Sequence, residues 1–248
     1  MTTGGIMMIF DQSFRISAFG NFEDIRPTTD NMQYVLEEFS KKGFLPSIFQ
    51  EMIIPGNNGQ LSQQQRIALV SGDGRKQVSI SSNRLDYDVK FSDEYSLSAD
   101  SAKELNKEAA EVIGALFNRF SKKSNRIALN TQSLLRVSND DELSTFISKF
   151  RNPVSIYSGI LDEWSTRMMV VKECVINSNP ERANIITNVM KGVITKTVDG
   201  ERNEMPGFVI SCDINTVPQQ VLRFTEKDIL EFIDYSIEQW ITIREEMK

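Results

Sequence analysis

Leu85, Tyr87, Val89 and Phe91 alternate with Asp86, Asp88 and Lys90, the two-residue period of a strand that buries one face only. After Ser96 or Ser98, either of which suits a helix N-cap, the period changes. Ala102, Leu105, Ala109, Val112, Ile113, Leu116 and Phe120 follow the three-and-four spacing of a helical stripe that runs to about Lys122. The same switch closes the chain. Gly207–Ile214 reads as a strand and Asn215–Pro218 breaks it. Thr225 then caps a helix with Asp228 at its N3 position and the stripe Ile229, Phe232, Ile233, Ile237, Trp240, Ile241. Strands with one apolar face, each set followed by one long helix with one apolar stripe, predict antiparallel sheets covered by helices: an α+β protein.

The remaining segments fill in two similar series. Phe14–Phe19 predicts a first strand, and Asp30–Lys42 a helix capped by Thr29, striped by Val35, Leu36 and Phe39, and closed at Gly43. Strands are expected over Phe44–Ile54, Arg66–Val70, Lys76–Ser81 and Leu85–Phe91, with Asp73-Gly74 as a type I′ hairpin turn. A strand at Asn125–Val137 begins the second series. A short helix capped by Ser138 or Asn139 follows, striped by Leu143, Phe146, Ile147 and Phe150, and then an apolar run over Val154–Ile160. Strands over Trp164–Ile176, Ala183–Val198 and Gly207–Ile214 are separated by Asn177–Pro180 and a second hairpin signal, Asp199-Gly200. The expected organisation is two related β-α-β(3-4)-α lobes, 10–123 and 124–248, packed as one unit with their sheets joined edge to edge.

Composition removes several chemistries. The chain has 248 residues and no histidine, which excludes Ser-His-Asp and Cys-His catalysis and His-ligated metals. No Walker or dinucleotide-binding glycine loop occurs, and Ser71-Gly72-Asp73-Gly74-Arg75-Lys76 reads as a hairpin tip. Cys174 and Cys212 lie in apolar runs, as reduced core thiols in a reducing, cytoplasmic compartment would. The opening Met1–Phe10 lacks a basic n-region, and no apolar run is long enough to span a membrane. A net charge of −6 argues against bulk binding to nucleic acid. Asp86 and Asp88 read as a solvated sheet face, and no cofactor is expected.

The strongest binding candidates lie on strands. If Phe208, Ile210, Cys212 and Ile214 face the core, then Ser211 and Asp213 share the opposite face. Arg66, Arg75 and Arg84 belong to neighbouring strands or turns of the first lobe. Ile243 and Met247 sit partly off the closing stripe, where they either cover a core edge or meet a partner.

The segment Arg66–Asp88 (RIALVSGDGRKQVSISSNRLDYD), Asp213-Ile214-Asn215, and the helix start Phe224–Ile229 (FTEKDI) resemble the sporadically distributed, uncharacterised bacterial proteins of two-lobed build. That resemblance covers most of the chain. It implies a duplicated helix-grip or saddle-like fold and no established activity, and it alone suggests a role in bacterial or phage defence. The expected function is a non-catalytic protein-interaction or regulatory component whose partner is another protein, or else a second copy of the chain. The alternatives are a small-molecule or nucleotide-binding module using the cleft between sheet and long helix, and nucleic-acid binding on a curved sheet.

Overall fold

The computed structural model describes residues 8–53, 62–92, 94–137, 139–150, 163–198 and 201–247. The first half contributes β1 (Met8–Phe19), α1 (Thr29–Phe39), β2 (Phe44–Ile53), β3 (Ser62–Ser71), β4 (Lys76–Ile80), β5 (Arg84–Lys90) and α2 (Ala99–Phe120). The second contributes β6 (Arg126–Arg136), α3 (Asp140–Ser148), β7 (Ser165–Ile176), β8 (Asn179–Val198), β9 (Glu201–Thr216) and α4 (Glu226–Met247). The nine strands form one open antiparallel sheet in the order β2-β3-β4-β5-β1-β6-β9-β8-β7. The α+β class therefore holds. Residues 121–125 join α2 to β6, and the apolar run over Val154–Ile160 and the turn at Asp199-Gly200 lie outside the described residues.

Capping logic positions the helices. Ser98 accepts from the Ser101 N–H at 3.1 Å and starts α2, while Asn139 accepts from Glu142 N–H at 2.9 Å and starts α3. The N-cap of α1 is Thr28 rather than Thr29, because it is the Thr28 hydroxyl that reaches Asn31 N–H. That helix tightens into a 3₁₀ turn at Ser40–Lys42 before Gly43 closes it at φ 81°. Leu36, placed on its stripe, is exposed instead. At α4, both the backbone N–H and the hydroxyl of Thr225 donate to Asp228 Oδ2, at 2.8 and 2.7 Å.

The turns correct one expectation. A type I′ turn needs positive φ at both central residues, and at Asp73-Gly74 only Gly74 has it, φ 70°. Gly74 N–H donates to Ser71 O at 2.9 Å, so Ser71–Gly74 is an ordinary β-turn ending in a left-handed glycine. Among the described residues, the adjacent pair with both angles positive is Asn177-Ser178, φ 49° and 64°, between β7 and β8.

One face of the sheet carries the helices. Phe14 of β1 meets Trp240 of α4 edge-on at 6.5 Å, and Phe146 of α3 packs on Phe208 of β9 at 4.4 Å. Tyr34 of α1 donates to Ala115 O of α2 at 3.2 Å. Asn106, fully buried between the two long helices, donates from Nδ2 to Leu230 O and to Asp234 Oδ1, both at 2.9 Å. The buried carboxylate of Asp11 meets Arg244 of α4 at 3.2 Å, joining the first strand to the last helix. A register shift at Gln12, between Asp11 and Ser13, lets Ile9 and Asp11 face the helices along with Phe14, Ile16 and Ala18.

Candidate functional site

Alternation places the other side chains of the central strands on the face away from the helices, where cross-strand register groups them into rows. One row runs Gln77, Asp88, Arg15, Asn130, Asp213, Ile186 from β4 across to β8. The next holds Ser79, Asp86, Ser17, Ala128, Asn215 and Asn184. On the other side lie Lys90, Ser13, Gln132, Ser211, Asn188 and Arg167. Ser211 and Asp213 thus stand on this face, beneath the core residues Phe208, Ile210, Cys212 and Ile214.

The face is internally connected. Arg15 ion-pairs with Asp88 through a very short contact, and the Ser17 hydroxyl donates to Asp86 at 2.6 Å. Asn215 Nδ2 donates to Asp213 Oδ1 at 2.9 Å, and Asn184 Nδ2 donates to Asn215 Oδ1 at 3.1 Å. At one end Arg84 and Arg126 flank the Phe19 ring, 5.8 and 4.6 Å from its centroid. Charges of both signs alternate across it.

The predicted residues do not all converge. Arg84 shares the face, pairing with Asp86 at 2.7 Å. Arg75 sits at the exposed β3–β4 turn, 3.9 Å from Asp73. Arg66 is wholly buried: its Nε donates to Glu51 at 2.6 Å, Nη1 to the carbonyls of Phe22 and Glu23 at 3.3 and 3.1 Å, and Nη2 to Gln64 Oε1 at 3.0 Å. Its donors tie the β2–β3 hairpin to the β1–α1 connection and are not offered to a ligand. Residues that the sequence did not mark as binding candidates, Arg15, Asn130, Gln132, Asn184, Asn188 and Asn215, make up most of the face. The signal available was their alternation with Phe14, Ile16, Leu129, Thr131, Ile185 and Ile214.

Asp86 departs from the solvated role expected of it. Only 4% of the residue is exposed, and burial pushes its carboxyl above 3.8 although Ser17 and Arg84 pull the other way. A carboxyl raised in the fold favours folding most fully below its unfolded value and loses that contribution as pH rises through the folded value. Urea denaturation at a series of pH values should show Asp86→Asn gaining on the parent protein as pH rises above 3.8. A parent advantage that grows with pH would mean that the Arg84 pair dominates. The cysteines are buried and unpaired, and burial pushes both thiols up to about 11, which suits packing and not nucleophilic attack.

A second concavity lies on the helix side. Met168, Met169, Val170 and Ile185 of the sheet, Phe150 beyond α3, and Ile243 and Met247 of α4 line a groove of about 430 Å³, with Lys149, Lys172, Gln239 and Glu246 as polar lining. Ile243 and Met247 therefore wall this groove, and Met247 is buried.

Among the described residues, no group of three or more carboxylates and thiols is placed to hold a metal ion. No helix among them is long and apolar enough to cross a membrane. Comparison with protein-family models, with curated proteins and with solved structures found no match for this chain.

Proposed function

We propose that this chain is a non-catalytic binding component, regulatory in role, whose helix-free sheet face seats another protein. One observation carries the reading: the nine-stranded sheet has no helix packed on one of its faces among the described residues, and the central strands of that face carry polar side chains of both charges. Eight spacings of about 4.8 Å make it roughly 38 Å wide, and the stretch from Ser13 to Phe19 adds roughly 20 Å. The product, roughly 760 Å², is close to the ~800 Å² per partner of a standard protein interface. Interspersed Arg and Asp favour a partner of complementary mixed charge over nucleic acid, which calls for a dominantly basic face.

The order of elements supports a related origin for the halves. β1-α1-strands-α2 is followed by β6-α3-strands-α4, and β1 and β6 lie side by side at the sheet centre. That is the arrangement a duplicated helix-grip or saddle-like protein would have.

The test is affinity capture from the native host with the parent protein and with Asn130→Arg/Ser211→Arg. The pair adds two cations to the middle of the face. A partner kept by the parent and lost by the variant is expected, and equal capture by both would overturn the assignment of this face. A change at Glu37, on exposed α1, should leave capture unchanged. Salt-sensitive retention of DNA or RNA would favour the nucleic-acid reading instead.

The groove beneath α4 favours a second reading, a small-molecule module, because its volume falls within the ~300–1,000 Å³ of ligand sites. A metabolite retained in native mass spectrometry and displaced by Ile243→Trp would support it.

A further inference from the structure

We infer that this chain forms a two-fold homodimer by pairing β7 with β7 of a second copy, in one particular register. The inference is independent of what the helix-free face binds.

β7 is a sheet edge: it pairs with β8 on one side and with no strand on the other among the described residues. It is long and apolar, with Met168, Met169, Val170, Val171 and Val175 between 40% and 61% exposed. Such an edge offers a row of unpaired backbone donors and acceptors.

Backbone parity limits the registers available. Lys191 N–H donates to Trp164 O at 2.8 Å. In an antiparallel ladder the residues that exchange hydrogen bonds with a neighbour alternate along the strand. Trp164 and the even-numbered residues after it therefore turn their backbone groups toward β8. Ser165, Arg167, Met169, Val171, Glu173 and Val175 turn theirs outward. A second antiparallel strand must match odd residues to odd residues, so registers that match odd to even are forbidden.

Charge then selects among the allowed registers. With the two-fold axis at Val170, Arg167 of each copy falls opposite Glu173 of the other, and Met169 falls opposite Val171. A slide by one allowed step in either direction puts Arg167 against Val171 or Val175 and separates the charges. Neither Arg167 nor Glu173 forms an ion pair within the chain among the described residues, and both are exposed. The strand is thus self-complementary in backbone, apolar pairing and charge about one point, as an isologous interface requires. The product is a continuous sheet across both copies, with all helices on the same side.

Sedimentation velocity and light scattering of the full chain, over protein concentrations up to the solubility limit, test this. The parent is expected to be dimeric. Arg167→Glu and Glu173→Arg should each raise the dimer dissociation constant by about tenfold or more, since each places two like-charge pairs across the seam. The double reversal should restore dimerisation. Met169→Pro removes an outward N–H and no bond to β8, so it should give a monomer, with far-UV circular dichroism confirming that the fold is kept. A parent that stays monomeric throughout overturns the proposal. So does a dimer indifferent to the single reversals and to Met169→Pro, or a double reversal that remains monomeric although folded.

Discussion

Arg244→Ala is expected to lower the stability of the protein by about 3–5 kcal/mol, the usual cost of removing one partner of a buried ion pair. Asp11 is 1% exposed and would lose its only cation among the described residues, keeping Leu97 N–H and the Ser133 hydroxyl, each at 2.7 Å. Arg244 also donates to Leu97 O at 2.7 Å and lies over the Trp240 ring, 4.8 Å from its centroid. Burial already pushes the Asp11 carboxyl above 3.8, with Arg244 as the largest opposing influence. Without the guanidinium that carboxyl rises further, so the variant's deficit should grow as pH rises above 3.8 and the unpaired carboxyl ionises. Denaturant midpoints of Arg244→Ala, Asp11→Leu and Asp11→Leu/Arg244→Met would check this. The double replacement by apolar groups should recover most of the loss, because both desolvation penalties vanish together. Losses under about 1 kcal/mol for both single changes would show that the pair is solvated.

Arg66→Ala should produce the second large effect, about 3–5 kcal/mol, again through a buried charge network cut on one side. Glu51 keeps Ser82 as a donor partner at 3.0 Å from its N–H and 2.8 Å from its hydroxyl. The Phe22 carbonyl keeps the Ile25 N–H at 3.0 Å, while the Glu23 carbonyl loses the donor that Arg66 gave it at 3.1 Å. Arg66→Lys should recover only part of the loss, since one ammonium cannot reproduce a planar fork aimed at four acceptors. Hydrogen exchange would localise the damage: the amides of Gln63 to Ile67 should lose protection before those of β1 and β6. Uniform loss across the sheet would instead mean that the hairpin and the sheet centre open together.

The two largest expected effects fall on residues whose roles could not be read from local pattern. Helix boundaries were legible because caps, stripes and stop residues act within a few positions: Ser98, Asn139 and the Thr225–Asp228 box each sit beside the residues they cap. Facing in the strands was legible for the same reason, and it put Ser211 and Asp213 on the correct side. Strand order was not, since alternation says which face a residue takes and nothing about which strand lies beside it. Arg15 gained its role only when β5 placed Asp88 opposite it. Arg66 looked like an accessible cation because its partners, at Glu51 and at the Phe22 and Glu23 carbonyls, come from separate segments. Asp11 fell in an apolar stretch whose phase is shifted by the bulge at Gln12, and its cation arrives with the final helix. The Asp73-Gly74 turn misled because glycine tolerates positive φ without requiring its neighbour to adopt it.

The place of β1 at the centre of the sheet has a consequence for how the chain is made. A ribosome releases β1 first, yet one of its two flanking strands, β6, is synthesised only after α2 is complete. Until then the nascent first half carries β1 as a raw margin. Asp11 lies on that margin, and an inward-pointing charged residue there is a feature that discourages pairing with other chains. Its cation, Arg244, lies on α4, the last helix to be synthesised of those described. The residue that guards the unfinished protein becomes the fastening of the finished one.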